Sequence, residues 1–420
     1  MINELKHMDL KLYSYKLENG LNIYIVPKKD SQTKYVTFTT KFGSSILSFK
    51  PAGSDNYIDV NPGIAHFLEH KVFENKDGQD PFAFYTNHGA DTNANTSYDK
   101  TTYLFSGPVN FNKNLKYLLK FVQTPYFTDA NVEKEKGIIK QEINLYADMP
   151  FWKLYDSTLY NVFVNHPMKH SVAGTYDDIS GITKEKLYDC YNTFYNPSNM
   201  FLVITGNVNP DKTFELIKKD QEKKVFSKIT KIDVRKMDEP DKVAKEKEII
   251  KFNVQIPKLA YALKINIKDY NINELNLYLN TLFDIKFGPT SVINEQLKKD
   301  KLITETIDFE VLFSDKHIVY MFLVETPKPE YIADLLDKEL SNITITKEDL
   351  ERKKKLLKSI AQYRSDNVFD INHKIVSNII KYNKVILDDY KIIDEMNINK
   401  ANDILNNLDF NHKSITIMKK

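Results

Sequence analysis

The sequence predicts an α+β fold of two structurally similar halves, each a mostly antiparallel sheet covered by helices. The chain has 420 residues, more than a single hydrophobic core of ordinary size accommodates. Strand and helix signals occur in mixed order with hairpin turns between them, unlike the regular alternation that favours a doubly wound parallel sheet. Both halves, of ~200 residues each, show these signals in a similar order, which indicates an internal duplication.

In the first half, turn residues and hydrophobic periodicity predict each element. The Asn-Gly turn at residues 19–20 separates two alternating runs and predicts a hairpin. Pro62-Gly63 precedes an amphipathic segment and predicts a helix that begins at Ile64. Periodicity further predicts strands at 35–42, 101–106 and 200–205, and helices at 112–123 and 129–148.

The second half begins after a charged stretch at residues 218–247. This stretch has little apolar periodicity, which is typical of a linker. The pattern then predicts a strand at 259–267, a helix at 272–283 and strands at 317–324 and 414–418. We therefore predict an N-terminal domain at 1–217, a linker at 218–247 and a C-terminal domain of the same fold at 248–420.

Composition excludes several classes of function. The formal net charge is +2, from 59 basic and 57 acidic residues, so no electrostatic argument favours nucleic acid or an anionic membrane as the partner. Cys190 is the single cysteine, which excludes an intrachain disulfide and fits a reducing compartment. The N-terminus lacks the apolar segment of a signal peptide, and no stretch reaches the ~18 apolar residues of a membrane span. We expect a soluble cytoplasmic protein.

One segment, His66-Phe67-Leu68-Glu69-His70, predicts a metal site. On a helix, His66 and His70 are four residues apart and face the same side, so both imidazoles can bind one zinc ion. Glu69 places a carboxylate beside the same metal, in the HxxEH order. Two histidines on one helix face are more often ordinary polar residues, but the glutamate and the amphipathic helix favour a zinc peptidase.

A zinc peptidase site needs a third protein ligand and an open position for water. Because the single cysteine, Cys190, is expected to be a buried structural residue, that ligand is expected to be His, Asp or Glu. The predicted helix at 129–148 offers Glu135 and Glu142, which are seven residues apart and therefore on one face. The same spacing is also typical of a solvent-exposed acidic face.

Several motifs in this order resemble the pitrilysin/insulinase superfamily, which includes insulin-degrading enzyme and mitochondrial processing peptidase. They are the HxxEH segment, Asn93-Ala94-Asn95-Thr96, Glu135 to Glu142, Ala173-Gly174-Thr175 and the segment at 195–200. The resemblance extends to Gly206-Asn207 and is closest to half-length bacterial members of the YmfH-like or processing-peptidase-like kind. The second half resembles the family only in its order of elements and at residues 287–291.

The resemblance implies a role for each matching residue. It implies that one zinc ion per chain is held by His66, His70 and Glu142. Glu69 matches the general base, and Glu135 matches a carboxylate that supports the metal ligands from outside.

Asn93, Ala94 and Thr96 match the edge strand on which family members lay an extended substrate. An extended peptide can add to a sheet edge through main-chain hydrogen bonds, with little demand on its sequence. Apart from the resemblance, the segment reads as an ordinary turn or edge strand. The function expected is that of a zinc endopeptidase cleaving peptides or leader peptides.

The second half departs from the family pattern. Lys298 and Thr304 stand about where family members carry an Arg and a Tyr that hold the substrate, and this half lacks an HxxEH segment. We therefore expect a closed chamber formed with a partner. The expected partner is a sister subunit that lacks zinc ligands but supplies the Arg/Tyr pair, with a homodimer as the second choice.

Two other functions are compatible with these motifs. The chain could be a catalytically silent peptide-binding or core subunit, although such subunits usually lose the zinc ligands. It could also be a zinc enzyme that acts on something other than peptides, which the edge-strand motif disfavours.

Overall fold

The structure is a computed structural model, and it describes residues 2–5, 10–227, 229, 231–268 and 270–420. The chain divides into two compact units, neither of which is continuous in sequence. The first unit comprises Met1–Ile143, Ser171–Lys236 and Gln362–Leu387; the second comprises Asn144–His170, Met237–Ala361 and Asp388–Lys420. The predicted domains were continuous, so they differ from the units at residues 144–170 and 362–387.

Among the described residues, seven strands of the first unit form one sheet in the order β1-β2-β3-β9-β4-β8-β7. Every neighbouring pair is antiparallel except β3 and β9. The strands are β1 (Ile2–Leu5), β2 (Leu10–Lys16), β3 (Asn22–Pro27), β4 (Lys34–Thr40), β7 (Asp91–Thr96), β8 (Thr101–Gly107) and β9 (Met200–Gly206). Two short strands, β5 (Ser48–Phe49) and β6 (Ile58–Asp59), pair separately.

The helices of the first unit come from both ends of the chain. They are α1 (Ile64–Val72), α2 (Pro81–Asn87), α3 (Phe111–Val122), most of α4 (Asp129–Ala147), α6 (Tyr176–Ser180), α7 (Lys184–Phe194), α8 (Pro210–Gln221) and α13 (Val368–Tyr382), with a 3-10 turn at Pro197–Asn199. The predicted strands at 35–42, 101–106 and 200–205 and the helices at 112–123 and 129–148 correspond to β4, β8, β9, α3 and α4.

The second unit has a sheet of five described strands in the order β10-β14-β11-β13-β12. These are β10 (Lys247–Lys251), β11 (Lys258–Asn266), β12 (Asp308–Phe313), β13 (His317–Glu325) and β14 (Lys413–Lys419). Its helices are α5 (Pro150–Val162), α9 (Ile272–Phe287), α10 (Val292–Lys299), α11 (Pro329–Ser341), most of α12 (Lys347–Asp366), α14 (Asp389–Glu395) and α15 (Ile398–Asn407), with a 3-10 turn at Pro167–Lys169.

The two sheets share one topology. Taken in chain order, the strands from β3 to β9 that join the first sheet and the strands from β10 to β14 both lie in the order first-fifth-second-fourth-third. In both, the first and fifth strands form the parallel pair and the other pairs are antiparallel. The predicted α+β fold with two similar halves is therefore confirmed.

Helix α13 explains why β9 is buried along its whole length. It packs against β9 and β4 through polar groups as well as apolar ones. Thr37 donates a hydrogen bond of 2.7 Å to the Asn372 side chain, which donates 3.0 Å to the Val203 carbonyl. Buried polar groups need such partners, so this network fixes where α13 lies on the sheet.

The stretch at 218–247, predicted as a linker, is held in place at several points. Helix α8 continues to Gln221, and Val234 forms a β-bridge with Phe49 in the first unit. In the second unit Glu239 is buried, pairs with the Lys264 ammonium and accepts backbone hydrogen bonds. No helix in the described part of the chain is both long and apolar enough to cross a membrane.

Candidate active site

Helix α1 presents the two histidines of the HxxEH segment on one side. The helix begins after Gly63, whose φ of 86° lies in the left-handed region. Phe67 and Leu68 are buried in the core of the first unit, which leaves His66 and His70 on another face with ring centroids 4.6 Å apart. The spacing of four residues therefore produces the predicted pair of imidazoles.

Helix α4 brings Glu142 to these histidines. One Glu142 carboxylate oxygen lies 3.7 Å from His66 Nε2, and the other lies 3.4 Å from His70 Nε2. One potential ligand atom from each of the three residues lies within 4.8 Å of the other two. The structure thus brings together the three residues that the sequence analysis assigned to zinc.

Glu135 lies two helical turns before Glu142 and contacts the other side of His70. His70 Nδ1 is 3.0 Å from Glu135 Oε1. Burial raises the pKa of Glu135, but the hydrogen bond and charge of His70 and the charge of Lys71 outweigh it, so the net shift is downward. An ionised carboxylate only accepts, so Nδ1 carries the proton that it donates to Glu135.

The pKa values of the two histidines are shifted in opposite directions. Burial, reinforced by the charge of His70, lowers the pKa of His66 to about 4. Burial also lowers the pKa of His70, but its hydrogen bond to Glu135 and the nearby carboxylates outweigh this effect and raise it overall. His66 Nδ1 is buried without a hydrogen-bond partner among the described residues, so a carboxylate orients only the ring of His70.

These donor atoms fit a zinc ion. With Nδ1 of His70 bonded to Glu135, Nε2 of neutral His70 directs a lone pair toward the Glu142 carboxylate, which is also an acceptor. Two acceptors facing each other need a cation or a proton between them. Two imidazole nitrogens and one carboxylate oxygen form a donor set used by catalytic zinc sites, which keep a fourth position for water.

Glu69 lies beside this group and is held by the edge strand. Thr96 Oγ1 donates a hydrogen bond of 2.6 Å to Glu69 Oε2, while the other carboxylate oxygen is not used in that bond. Burial raises the pKa of Glu69; the Thr96 bond and the charge of His70 oppose the shift without cancelling it. The carboxylate is therefore a better proton acceptor than an exposed glutamate.

Strand β7 carries the three predicted substrate-binding residues and forms one edge of the described first sheet. Asn93 is exposed, and its side-chain oxygen accepts a 2.8 Å hydrogen bond from the Ala94 backbone N–H. The Thr96 hydroxyl donates a hydrogen bond to Glu69. The structure thus places Asn93 and Ala94 on an open strand edge and Thr96 beside the predicted base.

Two glycines hold the start of α1 in place. From the sequence, Gly63 was expected to precede the helix and Gly174 to belong to a family motif, but neither was expected to pack against the other's segment. A Cβ atom at Gly63 would lie 2.5 Å from the Ala173 carbonyl oxygen, and one at Gly174 would lie 2.6 Å from the Pro62 oxygen. The two backbone segments therefore approach too closely for larger residues. The positive φ that the Pro62-Gly63 turn requires was the available signal.

Two further residues near the site were missed. Tyr195, from the motif at 195–200, forms a buried hydroxyl pair of 2.8 Å with Tyr103. Burial chiefly raises the pKa of both phenols, and the charge of Glu69 contributes to each shift. Lys71, which looks like a surface residue in sequence, is fully buried.

Lys298 and Thr304, at the positions where an Arg and a Tyr were expected, belong to the second unit. Lys298 is in the last turn of α10, and Thr304 follows in the connection to β12. Both are exposed.

Two family models and a bacterial relative match this chain. Residues 38–176 match the family model described as "Insulinase (Peptidase family M16)", and residues 181–357 match the "Peptidase M16 inactive domain". The chain is 40% identical over 365 residues to the uncharacterized zinc protease YmfH of Bacillus subtilis (strain 168), covering 85% of each protein.

Solved structures show the same fold. An M16-like peptidase from Alicyclobacillus acidocaldarius matches with a TM-score of 0.93 and 30% identity over 99% of both chains. The periplasmic protease PqqL of Escherichia coli matches 97% of this chain with 47% of its own, at a TM-score of 0.74 and 18% identity. The coverage and identity shared with YmfH, together with the two matching domain models, establish that the chain belongs to peptidase family M16.

Proposed function

We propose that the chain is a zinc-dependent endopeptidase that cleaves peptides bound in extended form. The observation that carries this proposal is the convergence of His66, His70 and Glu142 within 4.8 Å of one another, with the partly buried Glu69 carboxylate beside them. These three side chains would hold one zinc ion per chain. Relatives named as zinc proteases support the choice of metal.

Each group has a definite task in peptide hydrolysis. A zinc ion supplies Lewis acidity, which makes water a stronger nucleophile near neutral pH and polarises a carbonyl group. Glu69 takes a proton from the attacking water and passes it to the leaving amine. The hydrogen bond from Thr96 fixes Glu69 Oε2, which leaves Oε1 for this proton. Glu135 keeps the His70 ring oriented through Nδ1.

The substrate would lie along the edge of β7. Main-chain groups at an open edge can pair with an extended peptide. The Ala94 N–H donates a hydrogen bond to the Asn93 side chain, which is exposed. Rotation of this side chain would release the N–H to pair with a peptide. Because β7 also contains Thr96, a peptide on this edge would run past the predicted base.

We further propose that the first unit is catalytic, the second is not, and a partner completes the chamber. The match of residues 181–357 to an inactive-domain model supports the first part. For the partner, Lys298 and Thr304 replace the expected Arg and Tyr, and PqqL is about twice as long as the segment that matches this chain. A sister subunit that supplies the Arg/Tyr pair is the preferred partner, and a second copy of this chain is the other candidate.

The alternative function is that of a silent core subunit, which the inactive-domain match favours. Such a subunit has no need for a partly buried base beside three converging metal-binding groups. We therefore prefer the peptidase, acting in the cytoplasm on peptides or leader peptides.

Cleavage of a peptide library by the zinc-loaded protein tests the proposal. The protein is assayed with and without the co-expressed product of its neighbouring gene, and products are identified by mass spectrometry. We expect about one zinc per chain and cleavage that increases when a complex forms on size-exclusion chromatography. If the zinc-loaded protein binds peptides but cleaves none, with or without the partner, the chain is a silent subunit. Full activity from a strict monomer would refute the shared chamber.

A further inference from the structure

Lys71, directly after His70, is a charged residue in an unexpected place. Its side chain has no exposed surface, although it occupies the same short helix as the predicted metal ligands. Burying an ammonium group is strongly unfavourable unless charged and polar partners surround it. The partners of Lys71 therefore indicate what the burial achieves.

Those partners lie just beyond the end of α1 and on α4. Lys71 Nζ is 2.5 Å from Glu74 Oε2, just beyond the end of α1. It donates a 3.2 Å hydrogen bond to the Asn131 carbonyl in the first turn of α4, and it lies 3.8 Å from Glu135 Oε2. One ammonium group thus connects α1 with two successive turns of α4.

The α4 end of this connection is itself fixed. The Asn131 side chain accepts a 2.9 Å hydrogen bond from the Thr128 backbone and donates one of 3.0 Å to the Tyr126 carbonyl. Lys71 therefore binds a helix start whose position is already fixed by other hydrogen bonds. Glu142 lies further along the same helix, so its distance from the histidines depends on how α4 is held.

Glu135 connects Lys71 to the metal ligands. Its Oε1 lies 3.0 Å from His70 Nδ1, while its Oε2 faces Lys71 Nζ. Movement of Glu135 toward another partner would release the His70 ring. The positive charge of Lys71 also offsets the mutual repulsion of Glu74 and Glu135, which both approach it within 4 Å.

We propose that Lys71 is a positioning residue of the zinc site: it holds Glu135 against His70 and, because Glu135 is part of α4, thereby keeps Glu142 of the same helix at the histidines. This inference rests on the proposed zinc peptidase function. A purely structural role would stabilise the first unit without acting through Glu135. The two roles differ in their effect on metal binding.

The test measures zinc affinity by competition with a chromophoric zinc chelator. Lys71→Met removes the charge and keeps an unbranched side chain that is only one atom shorter. We expect it to weaken zinc binding ~10–100-fold, the usual effect of losing a group that supports metal ligands. The visible spectrum of the cobalt-substituted protein should change as well, because it reports ligand geometry.

Lys353→Met is the matched control. Lys353 is 3% exposed and pairs with one carboxylate, Asp284, in the second unit. The Lys353→Met variant should be less stable than the parent, with unchanged zinc affinity and an unchanged cobalt spectrum. If Lys71→Met does not fold, Lys71→Gln replaces it, since glutamine is also uncharged and its amide offers polar N–H groups to the buried site.

A double-mutant cycle identifies the route of the effect. If Lys71 acts through Glu135, Lys71→Met should weaken zinc binding little further in a Glu135→Gln background. Wild-type affinity in a folded Lys71 variant, or losses that multiply in the double variant, would overturn the inference. Wild-type protein that binds no zinc would instead overturn the proposed function, so the two failures are distinguishable.

Discussion

Replacement of Gly63 by alanine should loosen the start of α1, the helix that carries both histidines. Gly63 has a φ of 86°, and the backbone of Ala173 and the side chain of Ile179 lie against it. An added Cβ would be 2.5 Å from the Ala173 oxygen and 2.8 Å from Ile179 Cδ1. Backbone cannot yield as a flexible side chain does, so α1 or the facing loop has to move.

Two costs add at this position. A left-handed conformation costs an alanine about 1–2 kcal/mol. Overpacking adds about 1–3 kcal/mol, for a total of about 2–5 kcal/mol. Gly53 provides the matched control, because its φ is 82° and an added Cβ would meet no described atom within 4 Å. Gly53→Ala should therefore cost only the conformational part, about 1–2 kcal/mol.

Urea unfolding of the metal-free proteins measures both losses. The two glycines belong to the first unit, so the same transition reports on both. Gly63→Ala should have the lower midpoint, and it should also weaken zinc binding, which Gly53→Ala should not. Equal midpoints and equal zinc affinities for the two variants would refute the idea that close backbone contact positions α1.

Three further predictions concern the metal and the base. Thr96→Val removes the hydroxyl that donates to Glu69 and should lower kcat/KM at neutral pH by about tenfold. Because that bond lowers the pKa of Glu69, its loss should also move the acidic limb of the pH profile to higher pH. An unchanged profile would assign Thr96 to substrate contact alone. Zinc affinity should fall as pH decreases from 8 to 6, because the pKa of His70 is raised and a proton then competes with zinc for this residue. His66, with a pKa of about 4, should bind no proton in this range. A dependence of zinc affinity on pH that corresponds to two protons, measured by chelator competition, would contradict this. With free zinc at 1,000 times its Kd, bound zinc should stabilise the first unit by about 4 kcal/mol, and a chelator should remove this stabilisation. A melting temperature that does not change with zinc would contradict metal binding to the folded state.

Much of the site was predictable because its determinants are local in sequence. Helical spacing alone places His66 beside His70 and puts Glu135 and Glu142 on one face. The similar order of elements in the two halves likewise predicted the shared topology of the sheets. The residues alone did not assign a role to each glutamate, and the family resemblance supplied that step.

Other features depend on contacts between distant segments. The burial of β9 on both faces requires α13, which lies more than 150 residues later and uses Asn372 for its polar contacts. The discontinuous units follow from the same kind of exchange between distant segments. Hydrophobic periodicity within a segment does not show which distant helix or strand packs against it.

Polar residues were the hardest to interpret from the sequence. Lys71 resembles a solvated helix residue, yet it is buried because Glu74, Asn131 and Glu135 surround its ammonium group. Thr96 was assigned to the substrate strand, and its contact with Glu69 through the hydroxyl was not foreseen. The stretch at 218–247 looked like a linker, but Glu239 within it is a buried partner of Lys264. In each case the partner, not the residue type, determines the environment.

The measurement that tests the proposed chemistry most directly is peptide cleavage by Glu69→Gln, with zinc content determined on the same sample. Glutamine keeps the size of the side chain and an acceptor for Thr96 but cannot take a proton. We expect about one zinc per chain, as in the parent, and a fall in kcat/KM of about 10²–10⁴-fold. A zinc-loaded Glu69→Gln variant that cleaves peptides as fast as the parent would contradict the assignment of Glu69 as the base and, with it, the proposed mechanism.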